Sequence, residues 1–192
     1  MEVVIRPRLL PNGFALLRVT LCAVTLAWAC PRAALAEPTE AEVKAALIFN
    51  LPHFVEWPAT SYDSPTTPFL VAILGQDDVS AALEPMLLRK SIEGHPLIVR
   101  RVHTADEARK CQMLYVARSE KKHVDAILLT LHGASTLTVS DLDQFADRGG
   151  HINVVLEDQR VRMIVNRTSA EDSHLKISAR LLALARIVIG TP

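Results

Sequence analysis

The chain has 192 residues, 21 of them basic and 21 acidic, and only 5% are aromatic. A neutral chain with so few aromatics lacks the basic, stacking face that nucleic-acid binding requires, so nucleic acid is excluded as a partner.

Residues 1–36 read as a cleaved export signal. Arg6, Arg8 and Arg18 lead into an apolar run from Val19 to Ala29, and Ala34-Leu35-Ala36 supplies the small-x-small pattern that signal peptidase accepts. The run of about 11 apolar residues falls well short of the roughly 20 that span a bilayer as a helix. Cys30 is a poor lipidation site, because bulky Trp28 stands where a small residue is needed. The mature protein is therefore expected to run from Glu37 to Pro192 as a single exported domain, with no segment apolar enough to enter a membrane. The signal carries Arg6, Arg8, Arg18, Arg32 and Glu2, which leaves 17 basic against 20 acidic residues in the mature part. A domain of this size buries about 68–70% of its unfolded surface. Only Cys111 remains after cleavage, so no intramolecular disulfide can form. Its neighbours Met113 to Val116 have the composition of a buried strand and favour an inert thiol; the alternative is an intermolecular bridge.

The mature chain opens with a helix. Thr39 and Glu42 form a capping box, and Val43, Leu47, Leu51 and Phe54 follow at helical spacing. Pro52 removes a backbone donor and crowds the carbonyl of Ile48, so the helix should kink or loosen there and end by Pro58. A polar loop follows from Ala59 to Pro68. Phe69 to Leu74 is a continuous apolar run, the mark of a strand covered on both faces, and Gly75 with Asp77 and Asp78 turns the chain into the next helix. The alternation continues in looser form, with a helix at Ser80–Leu88, a strand at Pro96–Val102, a short helix at Thr104–Lys110 and a strand at Met113–Ala117. Beyond these come a helix at Lys121–Leu131, a strand at Thr136–Val139 and a short helix at Leu142–Ala146 closed by Gly149-Gly150. Ile152, Val154 and Leu156 then alternate with other residues, as do Val161, Met163 and Val165, which predicts an antiparallel hairpin. Leu175 to Val188 is expected to close the chain as a helix. Together these elements predict an α/β fold: a three-layer sandwich with a mostly parallel sheet, a C-terminal antiparallel hairpin and a closing helix.

Chemistry is harder to find. His53, His95, His103, His123, His132, His151 and His174 are scattered singly, whereas metal sites pair their ligands at tight spacing. Asp77-Asp78 and Asp141-x-Asp143 are paired carboxylates, but each pair stands where a helix is expected to begin, and capping accounts for them. No serine, cysteine or histidine stands in a recognisable catalytic context, so no catalytic residue, metal or cofactor is assigned. Gly75 and Gln76 follow a buried strand and precede a helix, the place where open α/β sheets hold ligands; Gly149 and Gly150 also allow close backbone approach. Simple turn-making explains these glycines as well. Phe54, Glu56 and Trp57 form the most unusual cluster. Trp57 is either a plug in the core or an anchor for a partner.

The stretch KAALIFNLPHFVEWP, Lys44 to Pro58, resembles the opening signature of the YfiR family of periplasmic proteins. FLVAILGQDD (Phe69–Asp78), CQMLYVARS (Cys111–Ser119), LTVSDLDQFADRGGHINV (Leu137–Val154), VRMIVNR (Val161–Arg167) and LKISARLLALA (Leu175–Ala185) continue the likeness in the family's order. The resemblance implies a Rossmann-like regulator and not an enzyme. It implies a homodimer that binds the periplasmic sensor region of an inner-membrane diguanylate cyclase and represses it, lowering cyclic-di-GMP with effects on biofilm and motility. An outer-membrane lipoprotein opposes some members by sequestering them. The family's several cysteines and disulfides are reduced here to Cys111, and Pro52 and His53 depart from its opening helix. The residues also leave room for a periplasmic small-molecule receptor signalling through another membrane protein, or for a hydrolase whose residues nothing here nominates.

Overall fold

The computed structural model describes residues 37–62, 64 and 66–190; the export signal read in residues 1–36 lies outside them. Helix α1 spans Glu40–Asn50 and starts as expected, with Thr39 Oγ1 accepting the Glu42 amide and Glu42 returning a bond to the Thr39 amide. It ends earlier than the pattern predicts. Pro52 falls in a tight 3₁₀ turn at Leu51–Phe54, after which the chain is extended through strand β1, Val55–Glu56. Proline fits the second position of such a turn, where no donor is needed, so the helix has changed type well before Pro58.

The strands that follow are β2 (Phe69–Leu74), β3 (Ser91–Ile92), β4 (His95–Val102), β5 (Met113–Val116), β6 (Leu137–Ser140), β7 (Ile152–Glu157), β8 (Arg160–Asn166), β9 (Lys176–Ile177) and β10 (Ile187–Ile189). Helices α2 (Asp78–Leu87), α3 (Ala105–Ala108), α4 (Val124–Leu131), α5 (Arg167–Asp172) and α6 (Ala179–Leu184) lie between them. The main sheet has the order β10-β8-β7-β6-β5-β2-β4-β3. Strands β4, β2, β5, β6 and β7 run parallel, β8 turns back against β7, and β10 adds to β8 in parallel. A separate two-stranded ladder pairs β1 with β9.

Alternate residues of the central strands enter two cores. Phe69, Val71, Ile73, Met113 and Tyr115 meet α1, α2, α5 and α6 on one face, while Ala72, Leu74, Leu114 and Val116 meet α3 and α4 on the other. This is why β2 and β5 read as unbroken apolar runs: both of their faces are covered. The hairpin of β7 and β8 forms as expected, with Ile152 opposite Val165 and Val154 opposite Met163.

Three expectations fail. Leu142–Ala146 forms turns and no helix, because the Asn153 side chain accepts the Phe145 amide and donates to the Leu142 carbonyl, holding the loop in another shape. The closing helix is absent as such. Its span divides into β9, the short α6 and strand β10, and Ser178 caps α6 from within the predicted helix. The β-branched run Ile187-Val188-Ile189 finds open hydrogen-bonding positions beside β8, and pairing there outweighs a helical pattern of weak propensity. The hairpin therefore lies inside the sheet, not at its border. Helix α5, which the sequence does not suggest, is capped by Asn166 Oδ1 on the Ser169 amide.

Candidate functional site

The sheet reverses its winding beside β2, since the chain leaves β2 for β4 on one side and returns to β5 on the other. In such sheets a crevice opens outside the carboxyl ends of the strands at this switch point. Leu74, Val116 and Ser140 end β2, β5 and β6 in matched register, so the residues just beyond them converge.

Gly75 makes the turn after β2 with φ +83°, and a Cβ there would come within 2.3 Å of Ser119 Oγ. The Gln76 amide donates to the same hydroxyl at 2.9 Å. The glycine is thus required by close packing of two loops, and the crevice lies farther along. Asp77 caps α2 through the Ser80 amide, as read from sequence, but its other carboxylate oxygen accepts the Arg118 amide at 2.7 Å and the Tyr115 hydroxyl at 3.0 Å.

Asp141 is no helix cap. Its Oδ2 accepts Lys44 Nζ at 3.0 Å and both Nε and Nη2 of Arg118, at 2.9 and 2.8 Å; its Oδ1 lies 3.3 Å from the Tyr115 hydroxyl. The Lys44 ammonium also meets Glu40 at 2.6 Å. The Lys44 and Asp141 side chains are 2% and 1% exposed, whereas that of Arg118 is 58% exposed and reaches inward from solvent. The Asp141 hydrogen bond holds the Arg118 guanidinium pKa above its ordinary value, and burial together with the two carboxylates raises that of Tyr115 steeply. One phenolic hydrogen thus serves two carboxylate acceptors. A cavity of about 150 Å³ opens here, lined by Glu40, Lys44, Asp77, Asp78, Arg118 and Asp141 among others. These four carboxylates outnumber the two cations. The arrangement suits recognition of a small polar group.

Sequence reasoning missed Lys44, Tyr115, Arg118 and Asp141 as a unit. One signal was present: Lys44 shares a helical stripe with Ala41, Ala45 and Ile48, where a cation needs a partner from elsewhere in the fold.

The other sequence candidates fall elsewhere. Phe54, Glu56 and Trp57 lie around β1, with Phe54 and Trp57 half-buried and Glu56 exposed. The Trp57 indole donates to the Gln112 carbonyl at 3.0 Å and stands edge-on to Phe69, ring centroids 5.0 Å apart. Gln112 secures the whole corner: its side chain accepts the Leu70 amide and donates to the Ser61 carbonyl. This is the amino edge of the sheet, away from the crevice. Gly149 and Gly150 precede β7 at the amino end of β6 and β7, so the structure does not bring them together with Gly75 and Gln76. Gly150 lies flat against the Phe145 ring, where a Cβ would come within 2.2 Å, and the Gly149 carbonyl accepts Ser169 Oγ. Cys111 is buried, and burial pushes its thiol pKa up.

Strand order, layered helices and a polar cavity at the switch point define a Rossmann-like α/β domain. The chain belongs to the YfiR/HmsC-like family, whose profile matches residues 41–186. Among curated proteins none matches the sequence. The fold is similar to that of a conserved domain protein from Vibrio cholerae O1 biovar El Tor, with a TM-score of 0.53 and 12% identity over 79% of this chain and 61% of that one. The ABC domain from Streptococcus pneumoniae, in complex with L-Trp, has a TM-score of 0.48 at 12% identity over 78% of this chain and 60% of its own, too distant to bear on function. The chain spans about three-fifths of the length of each.

Proposed function

We propose that this protein is a periplasmic regulator that binds the sensor region of an inner-membrane diguanylate cyclase and represses it, lowering cyclic-di-GMP. Membership of the YfiR/HmsC-like family over residues 41–186 is the observation that carries this reading. No helix among the described residues is long and apolar enough to cross a membrane, which accords with a protein that acts on a membrane partner from outside the bilayer. Repression of this kind is linkage: the regulator must bind the inactive cyclase more tightly than the active one, and a hundredfold preference corresponds to about 2.7 kcal/mol. The surface carrying Phe54, Glu56 and Trp57 is the proposed contact. A homodimer, and release by an outer-membrane lipoprotein, belong to the same reading.

The test is cellular cyclic-di-GMP after deletion of the gene, with restoration by chains that retain or lack Leu16 to Ala36. A rise on deletion, reversed only by the chain with its signal, supports periplasmic repression. An unchanged level across several growth conditions refutes it. The switch-point cavity favours a second reading, a small-molecule receptor with its ligand beyond Gly75 and Gln76. A thermal shift with one compound of a metabolite panel would support that reading through mass action.

A further inference from the structure

His151 sits at the joint between the loop 146–151, strand β6 and helix α5. It is 4% exposed, so its ring is almost wholly removed from water. Its amide donates to Thr138 Oγ1 at 3.0 Å, and its carbonyl accepts the Asn166 amide at 2.8 Å. The ring then bridges the two elements. Nδ1 lies 3.0 Å from the Thr138 amide, and Nε2 lies 3.1 Å from Ser173 Oγ just beyond α5.

A backbone amide can only donate, so Nδ1 must accept and carries no proton. The single ring proton of the neutral form therefore sits on Nε2, facing Ser173. Protonation would add a hydrogen to Nδ1 and oppose it to the Thr138 N–H, two donors about one hydrogen-bond length apart, while placing a charge in a dry site. The imidazolium keeps its Nε2–H for Ser173 but cannot face the Thr138 N–H, so charging in place is disfavoured and protonation drives the ring off the Thr138 amide.

Its departure acts on α5. Besides Ser173, that helix is held to the 146–151 loop by Ser169 Oγ on the Gly149 carbonyl and by Asn166 Nδ2 on the Ala146 carbonyl. Arg167, Ala170 and Glu171 of α5 also line a cavity of about 700 Å³ with Leu175, Ile177 and Leu182. The helix is therefore both the partner of His151 and a wall of that cavity.

We propose that His151 is an acid-released latch: uncharged, it ties α5 to β6, and its protonation frees α5 and the cavity wall that the helix forms. The groups that face the ring are consistent with this. Asp172 on α5 and His132 at the end of α4 share the small cavity beside it, and both are exposed. Burial dominates and pulls the ring pKa from 6.5 to about 4, with the Ser169 carbonyl offsetting it in part.

The experiment has two arms on the full domain. Nitrogen NMR of the wild-type protein at pH 7 should show His151 with its proton on Nε2; a proton on Nδ1 overturns the proposal. Hydrogen exchange at the Ser173, His174 and Leu175 amides, corrected for intrinsic rates, should report the opening of α5. Protection should fall about tenfold per pH unit below pH 6.5 and level off near pH 4, about 300-fold in all, for a ring with the pKa given above. In His151→Gln the same amides should show no such slope. An equal slope in both proteins, or a flat profile in the wild type, overturns the latch. If His151→Gln does not fold, the wild-type tautomer and the wild-type slope still decide.

Discussion

Replacing Asp141 tests the centre of the switch-point network, because every cation there is directed at it. Asp141→Leu keeps the branched skeleton but leaves the Lys44 ammonium buried at 2% exposure with Glu40 as its remaining anion. Removing one member of a buried pair costs about 3–5 kcal/mol. Two features place this case near the lower end. Arg118, 58% exposed, can turn its guanidinium to water, and the Tyr115 hydroxyl keeps Asp77. The expected loss is about 3 kcal/mol, which moves a urea midpoint by about 1.5 M at a slope near 2 kcal/mol/M. Lys44→Met should cost only about 1–2 kcal/mol, since Asp141 retains Arg118 and Tyr115. The double variant should be more stable than Asp141→Leu alone, because no unpaired buried charge remains. Urea unfolding followed by circular dichroism and Trp57 fluorescence measures all three. An Asp141→Leu loss below about 1 kcal/mol, or a double variant as unstable as the two single losses combined, would refute a buried, coupled network.

Gly75→Ala should lose about 2 kcal/mol, from positive φ and from collision with Ser119 Oγ, and Ser119→Ala should restore part of it in the same unfolding assay. Trp57→Phe keeps the ring against Phe69 but loses the bond to the Gln112 carbonyl, and about 1 kcal/mol is expected. Gln112→Ala should cost more, because it strands the Leu70 amide and the Ser61 carbonyl together; the reverse order would show that Gln112 does not secure this corner. Cys111 should react with a thiol reagent only at the rate of local opening, and stabilising salts should slow it; labelling at the rate of a free peptide cysteine would contradict its burial and raised thiol pKa.

Local chemistry made much of the fold legible. The run Phe69–Leu74 and the Asp77 cap announced β2 and α2, and strict alternation announced the hairpin of β7 and β8. The errors came where long-range pairing decided the outcome. Ser178 to Val188 carries a pattern that a helix can use, but the edge of β8 was available to Ile187–Ile189, and sequence does not reveal a free sheet edge. Helix α5 is too short at six residues for an apolar period to show. The candidate site was half legible for the same reason. Asp77 was a correct cap with a second task, and Asp141 looked like a cap because its real partner, Lys44, stands 97 positions away. Gly75 stands at the carboxyl ends of the strands, where the switch-point cavity lies, and Gly149-Gly150 stand at the amino ends.

Four of the segments on which the family likeness rests each place side chains in this one network: Lys44 from the first, Asp77 from the second, Tyr115 and Arg118 from the third, Asp141 from the fourth. Through Lys44 the network fixes α1, and α1 leads directly through the 3₁₀ turn into Phe54, Glu56 and Trp57. The crevice network and the aromatic corner therefore lie along one continuous segment, α1 and the turn that follows it. Anything bound in the crevice that competes for Asp141 or Glu40 must alter the hold on Lys44, and with it the seating of α1. Coupling of this kind is reciprocal, so a compound that weakened cyclase binding by some factor would itself bind more weakly to the cyclase-bound protein by the same factor. Regulation and ligand sensing would then be two measurements of one equilibrium, and a factor of one, no effect of a crevice-bound compound on partner binding, would show that the two ends are not coupled.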